Sequence, residues 1–176
     1  MRRPHPGEIR QLFDFVSDAV TRVSAPLDVV IEACRINSDN AFVFVRDQRL
    51  VGVYAMLMLS PRGLERLLLG EFQPDDPAAD DLVETGKEPA AIYKWAVVAP
   101  GAAAKGIALV SNYIRQPLYR HANLFARATT LPAIRLMENL GFEPVASVDP
   151  DLYRYQRLAN RDRSECVIPH RERFVA

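Results

Sequence analysis

An apolar strand, a turn of small residues, a helix, a second strand and a second helix follow one another from Ile92 to Phe142. The turn reads VAPGAAAKGIA and starts at Val98, and the second helix ends in the letters PAIRLMENLGF, which finish at Phe142. A strand-helix-strand-helix order of this kind favours a sheet that is covered by helices. No other stretch of the chain constrains the fold as strongly.

The remaining sequence supplies elements on both sides of this unit. A first helix is predicted after Pro6-Gly7-Glu8, because apolar residues follow there at helical spacing. These residues are Ile9, Leu12, Phe13, Val16, Val20 and Val23. The other predicted helices cover 27–36, 64–69, 102–119 and 131–140, and the predicted strands cover 41–46, 50–59, 91–98, 123–128, 142–148 and 152–158. A hairpin, a βαβα unit and a final hairpin predict one mixed sheet in a single α/β domain, or α+β by a stricter convention. We therefore expect one domain over 1–158 and a polar, Arg-rich tail over 159–176.

Length and charge exclude several classes of protein. The chain has 176 residues, with 22 Lys plus Arg against 22 Asp plus Glu, so no global field attracts nucleic acid or a membrane. No apolar run approaches the roughly 20 residues of a membrane span, and none follows the N-terminus as in a secretory signal. The two cysteines, Cys34 and Cys166, are far apart and form no metal-binding pattern. These features predict a soluble, cytoplasmic protein without a metal.

The turn after the third strand has the chemistry of a phosphate site. A diphosphate needs several converging N–H donors, and the start of a helix supplies them together with a favourable dipole. Small residues let the backbone approach closely, and Lys105 adds a positive charge. A Rossmann turn would need Gly-x-Gly-x-x-Gly and a Walker loop Gly-Lys-Ser/Thr, and neither pattern is present. Tight packing without a ligand is the alternative interpretation of such a turn.

The order strand, Val-x-Pro, then Gly-x-Ala resembles the acyl-CoA motif of the GNAT superfamily of N-acyltransferases. The family pattern is Arg/Gln-x-x-Gly-x-Gly/Ala, which falls on Ala103, Gly106 and Ala108, so that its first side chain is missing here. The resemblance implies that backbone amides hold the pyrophosphate of acetyl-CoA or another acyl-CoA, and that the end of the preceding strand pairs with the pantetheine arm. The residues so implied are Val97, Val98, Ala103, Ala104, Lys105, Gly106, Ile107 and Ala108.

The second helix resembles the family's next motif, Asn-x-x-Ala followed by Leu-Tyr-Glu-x-x-Gly-Phe. The match includes Ala133 and Gly141, whereas the usual Asn falls on Thr130 and the usual Tyr on Met137. The resemblance implies that Thr130, Ala133 and Met137 also contact the acyl-CoA, with Thr130 either hydrogen-bonding the pantetheine arm or capping the helix. In many members that Tyr protonates the departing thiolate, which a thioether cannot do. The resemblance implies the GNAT fold, a mixed and mostly antiparallel sheet with a central parallel pair, and transfer of an acetyl group to an amine. A non-catalytic acyl-CoA-binding or interaction module of the same fold is the alternative.

Candidates for the acceptor side are less specific. The resemblance places the amine in a cleft between the central strands, which favours Tyr93 and Glu88 as catalytic residues; the weaker candidates are His121, Tyr153 and Tyr155. The acidic segment 73–88 is either a solvated loop or a surface that steers a cationic amine. The acceptor is a small molecule or a protein amino group, and the Arg-rich tail is a candidate for docking on a second subunit in a homodimer.

Overall fold

The computed structural model describes residues 1–19 and 25–157. Its helices are α1 (Ile9–Ala19), α2 (Leu27–Ile36), α3 (Pro61–Leu68), α4 (Ala103–Tyr113) and α5 (Leu131–Asn139). Its strands are β1 (Ala41–Arg46), β2 (Arg49–Leu59), β3 (Ala91–Val98), β4 (Asn123–Arg127), β5 (Glu143–Pro144) and β6 (Leu152–Tyr155). The tail 159–176 and the predicted helical positions Val20 and Val23 lie outside the described residues.

One sheet of six strands carries the fold, in the order β1-β2-β3-β4-β6-β5. All neighbours are antiparallel except β3 and β4, which are parallel and lie at the centre. The predicted mixed, mostly antiparallel sheet with a central parallel pair is therefore confirmed. The parallel pair arises because α4 crosses over from the end of β3 to the start of β4.

Helices cover both faces of the sheet. Val110 of α4, Met137 of α5 and Ile114, which directly follows α4, pack on the face that carries Met56 and Ile92. Residues of α2 and α3, including Ala33 and Leu67, pack on the opposite face; the strand residues there include Leu57, Leu59, Tyr93 and Phe125. Alternate residues of one strand point to opposite faces, so Ile92 and Tyr93 contribute to different cores.

One aromatic ring joins the first hairpin to the start of α4. A Cβ at Gly106 would lie 2.5 Å from Cε2 of Phe44, and a Cβ at Gly52 would lie 2.9 Å from Cδ2 of the same ring. Phe44 itself is buried. The two glycines therefore provide the space that this ring occupies, and β1 fixes the position of the first turns of α4.

A buried carboxylate fixes the other end of α4. Asp39, which is 1% exposed, precedes β1. Its Oδ1 accepts hydrogen bonds from Nε of Arg3 at 2.6 Å and from the hydroxyl of Tyr113 at 2.9 Å, and its Oδ2 accepts one from the hydroxyl of Tyr119 at 2.5 Å. Burial, together with the hydrogen bonds to Asp39 and Tyr113, raises the pKa of Tyr119. With three donors the buried charge is satisfied, and α4 is held at both ends.

The acidic segment 73–88 is not uniformly solvated. Asp81 is fully buried, and its Oδ2 accepts hydrogen bonds from Arg66 at 2.7 Å and from the backbone N–H of Ala78 at 3.1 Å. The backbone oxygen of Asp81 lies against Gly63 of α3, where an added Cβ would be 2.1 Å away. Helix α3 therefore anchors the middle of this segment, while Glu84 and Glu88 stay exposed.

Several predicted elements are shorter in the structure, among them the last strand, which was expected over 152–158 and ends at Tyr155. The helix expected over 102–119 ends at Tyr113, in keeping with the preference of residues before Pro117 for non-helical backbone. The strand expected over 142–148 pairs as a strand only at Glu143 and Pro144. The N–H of Val145 still donates to the carbonyl oxygen of Leu152, and the chain then bends at Ser147 and Val148. No helix in the described part of the chain is long and apolar enough to cross a membrane.

Candidate functional site

The two central strands separate after only three paired residues. β3 and β4 pair at Ala91, Ile92 and Tyr93, and the last pair is Tyr93 with Phe125. On the other edge of β3, Trp95 lies two residues after Tyr93 and has no partner on β2, because Lys94 pairs with Met56 and Ala96 with Ala55. Such a bulge bends a strand and increases its twist. From Lys94 to Val98, the edge of β3 that faces β4 has no strand partner, so an open notch lies between the two strands.

Helix α4 begins at the end of β3 with unsatisfied donors. Gly101 has φ +66°, a conformation that favours glycine, and it turns the chain from the strand into the helix. No side chain caps α4, whereas Ser60 caps α3 and Thr130 caps α5. The N–H groups of the first turn have no partner inside the helix. These donors and the helix dipole make the start of α4 suitable for an anion.

The predicted phosphate-binding side chains occupy different environments. Ala103, Ala104, Lys105 and Ala108 are exposed, and Ile107 is half-buried. Gly106 is buried and faces the Phe44 ring, so its small size serves the packing of α4 on β1. On β3, Val98 is buried and Val97 half-buried against the α4 core.

A groove runs beside the start of α4, between the helix and the first hairpin. It has a volume of about 160 Å³, and its lining includes Ala102, Lys105 and Arg46. Arg46 ends β1, is exposed, and belongs to no ion pair among the described residues. Sequence analysis missed Arg46 because 57 positions separate it from Ala103 in the chain. Only the packing of the hairpin against α4 brings the two together.

The second predicted motif forms the start and the core face of α5. The Thr130 hydroxyl accepts a hydrogen bond from the N–H of Ala133 at 3.4 Å, so Thr130 caps the helix. Ala133 is half-buried, and Met137 is buried in the α4 core. Gly141 ends the motif with φ +80°, as expected for the residue after a helix. The thioether of Met137 thus lies on the face of the sheet that carries α4.

Tyr93 and Glu88 lie in different parts of the molecule. Glu88 is exposed and precedes β3, at the end of the strand that is remote from the notch. Tyr93 is buried at the notch and packs edge-on against Phe72, with ring centroids 5.7 Å apart. Burial raises the pKa of Tyr93 to about 12, and the charges of Arg127, Asp149 and Asp75 act on it to a smaller extent. Its hydroxyl stays protonated at neutral pH and suits a donor rather than a base.

An ion pair beside Tyr93 was not anticipated from the sequence. Arg127 ends β4, and its Nη2 lies 2.5 Å from Oδ2 of Asp149, which follows β5. The Nε of Arg127 is buried, and no hydrogen-bond partner for it exists among the described residues. The pair and Tyr93 together place polar groups on the face of the notch opposite α4. The weaker candidates lie in the sheet or beside it: Tyr153 pairs with Ala126, Tyr155 contacts Phe142, and His121 is half-buried before β4.

The described residues contain no group of three or more His, Cys, Asp or Glu side chains that could hold a metal ion. The notch carries backbone donors, the hydroxyl of Tyr93 and the Arg127–Asp149 pair.

The fold is similar to that of solved GNAT-like and acetyltransferase structures. The GphF GNAT-like decarboxylase in complex with isobutyryl-CoA superposes with a TM-score of 0.55 at 14% identity, over 78% of this chain and 70% of that chain. The histone acetyltransferase HPA2 and related acetyltransferase from Corynebacterium glutamicum gives a TM-score of 0.51 at 17% identity, over 88% and 93%. No protein-family model and no curated protein matches the sequence. The chain has the GNAT fold, as its two motifs predicted.

Proposed function

We propose that the protein is an acyl-CoA-dependent N-acyltransferase, with acetyl-CoA as the simplest donor and an amine as acceptor. The observation that carries this proposal is the combination of the open edge of β3 with the uncapped start of α4 at the end of the same strand. In the reaction the amine nitrogen attacks the thioester carbonyl, a C–N bond forms and the C–S bond breaks. The amine loses a proton, and the CoA thiolate gains one. The acceptor is a small molecule or a protein amino group, and we propose a cytoplasmic enzyme that is a candidate homodimer.

The proposed position of CoA is set by the backbone N–H groups at the start of α4 and by the free edge of β3. The pyrophosphate would accept hydrogen bonds from the first-turn amides of α4 around Ala103, Ala104 and Lys105, with Lys105 and Arg46 adding positive charge. The pantetheine amides would pair with the free edge of β3 near Val97 and Val98, as an added strand does. The family has an Arg or a Gln at the position that Ala103 occupies here. Arg46 would supply a positively charged donor in place of that missing side chain.

Calorimetry and a thiol-release assay test this proposal together. Acetyl-CoA should bind the full chain, and CoA should appear only when an amine from a broad panel is present. Failure to bind acetyl-CoA would remove the proposal, and binding without amine-dependent release would leave only the non-catalytic alternative.

Tyr93 is the better of the two catalytic candidates because it lies at the notch. Changing Tyr93→Phe removes only the hydroxyl and should lower the rate of CoA release about 10- to 100-fold through the loss of a donor in the transition state. Glu88→Gln should leave the rate within about two-fold, since Glu88 is exposed and remote from the notch. Steady-state rates of the two variants check this, with melting curves to confirm that both are folded. Loss of activity in Glu88→Gln with an unaffected Tyr93→Phe would reverse the assignment.

A non-catalytic acyl-CoA-binding module is the second candidate function, and Met137 supports it. Met137 lies where the family has its tyrosine acid, and it is buried on the face that carries α4.

We expect Met137→Tyr to raise the rate of CoA release about 10-fold or more, because a phenol can protonate the departing thiolate. Met137→Phe is the matched control, since it has the same ring without the hydroxyl and reports the cost of the larger side chain alone. Single-turnover rates of both variants provide the comparison. Equal rates for the tyrosine and phenylalanine variants would show that protonation of the thiolate does not limit this protein.

A further inference from the structure

A small cavity lies on the α4 side of the sheet at the point where β3 and β4 separate. Its volume is about 180 Å³, and its lining includes Lys94, Leu124, Ile107 and Ser111. Lys94 is the first residue of β3 beyond the paired stretch, and Leu124 belongs to the pair before the last. The cavity is smaller than the roughly 300–1,000 Å³ of pockets that hold whole drug-sized ligands, so it suits one small chemical group.

The charges that line this cavity all have the same sign. They belong to Lys94, Arg115 and Arg157, and its lining includes no aspartate or glutamate. None of the three forms an ion pair with a carboxylate among the described residues. Arg157 donates to the carbonyl oxygen of Ile114, and its buried Nε has no partner in the described part of the chain. Among the described residues, the cavity lining therefore presents donors and positive charge without a carboxylate.

Uncompensated charge of this kind costs folding free energy. Burial lowers the pKa of Lys94, and burial with a smaller effect of Arg115 lowers the pKa of Arg157. A partly buried cation is stabilised when an anion accepts its hydrogen bonds. Most of the remaining lining is apolar and includes Ile107, Leu124 and Phe142, with Ser111, Tyr54 and Tyr155 beside them. A ligand group that fits has a short apolar stem and an anionic end.

We propose that this cavity receives a terminal carboxylate on the acyl group, so that the protein prefers the CoA thioester of a dicarboxylic acid to acetyl-CoA. The inference rests on the function proposed above. A pantetheine arm along the open edge of β3 would deliver the thioester to the branch point, next to Lys94. The methylene groups of the acyl chain would contact the apolar walls, and the carboxylate would accept hydrogen bonds from Lys94, Arg115 and Arg157.

Calorimetry with three thioesters tests the inference on the full chain. Butyryl-CoA and succinyl-CoA both carry four-carbon acyl groups and differ only in that succinyl-CoA has a carboxylate in place of the terminal methyl group. Acetyl-CoA reports binding of CoA with a minimal acyl group. Succinyl-CoA should bind at least about 10-fold more tightly than butyryl-CoA, as charge-assisted hydrogen bonds predict. The CoA moiety is common to all three, so the attraction of its phosphates to basic residues cancels in the comparison, and the variants below show whether the added carboxylate binds in the cavity.

Variants assign the preference to the cavity. Lys94→Met and Arg115→Gln should each weaken succinyl-CoA binding about 10-fold and leave acetyl-CoA binding within about three-fold. Arg115 is exposed, so its variant should fold even if Lys94→Met does not. Arg10→Gln, an exposed change on α1, is the matched control and should alter neither affinity.

The outcomes separate the two proposals. Equal affinities for butyryl-CoA and succinyl-CoA, or a preference that survives Arg115→Gln, would overturn the inference and leave the proposed function intact. If none of the three thioesters binds, the proposed function fails, and the inference fails with it.

Discussion

Ala104→Glu should weaken the binding of acetyl-CoA about 100-fold or more, equivalent to ~2.7 kcal/mol, without unfolding the protein. Ala104 is exposed in the first turn of α4, where the proposed pyrophosphate meets the backbone amides. A carboxylate there competes for the same donors and repels the phosphates. The same charge interacts favourably with the start of a helix, so the free energy of unfolding should stay level or rise slightly. Isothermal calorimetry and chemical denaturation measure the two quantities separately.

Two controls isolate the effect of charge at this position. Ala104→Gln has nearly the same size as the glutamate variant and no charge, so it should lose much less affinity. Asn112→Glu adds the same charge at an exposed position near the other end of α4 and should change binding by less than about three-fold, given screening by salt. Retention of full affinity in Ala104→Glu would place the pyrophosphate elsewhere.

Gly63→Ala should destabilise the protein by about 3 kcal/mol or more. The added Cβ would lie 2.1 Å from the backbone oxygen of Asp81, and backbone atoms cannot move away as the end of a side chain can. At an exposed helix position a Gly→Ala change stabilises a protein by about 0.4–1 kcal/mol. A large loss of stability in Gly63→Ala would therefore report the steric contact with the Asp81 backbone. Disruption of this contact should also displace the segment that holds the Arg66–Asp81 pair. Denaturant unfolding measures the change in free energy.

Gly7→Ala is the matched control for this change. Gly7 precedes α1, nothing lies within 4 Å of its would-be Cβ, and its stability change should stay within about 0.5 kcal/mol. A similar small change in Gly63→Ala would mean that α3 and the acidic segment are not packed as described.

Local sequence patterns were sufficient to predict most of the fold. β1, β3 and α2 begin and end at the predicted residues, because apolar periodicity and turn residues are local properties. The order of elements predicted a mixed sheet, and the resemblance to the GNAT superfamily predicted its central parallel pair. The burial of Asp81 was not predictable, since it depends on Arg66, a residue 15 positions earlier in another element. In sequence this aspartate is one of several acidic residues in a polar segment.

The candidate site was predictable only along β3 and α4, where its residues are neighbours in the chain. Arg46 reaches the start of α4 through the packing of Phe44. The pair of Arg127 and Asp149 forms across β4 and a later loop, and the cationic cavity draws on β3, α4 and the chain after β6. Contacts between distant segments leave no periodic pattern, and therefore only the folded arrangement reveals them.

The Phe44 ring lies against the space left by Gly52 and by Gly106, and this has a consequence for sequence divergence. Gly106 cannot acquire a side chain while the ring is present, and a smaller residue at position 44 would open a cavity between the first hairpin and α4. At Gly52 an added Cβ would also lie 2.6 Å from the Cβ of Ala99 and 2.9 Å from the backbone oxygen of Val98, so a smaller residue at position 44 would not free that position. In the evolution of such chains we therefore expect positions 44 and 106 to co-vary and position 52 to stay glycine.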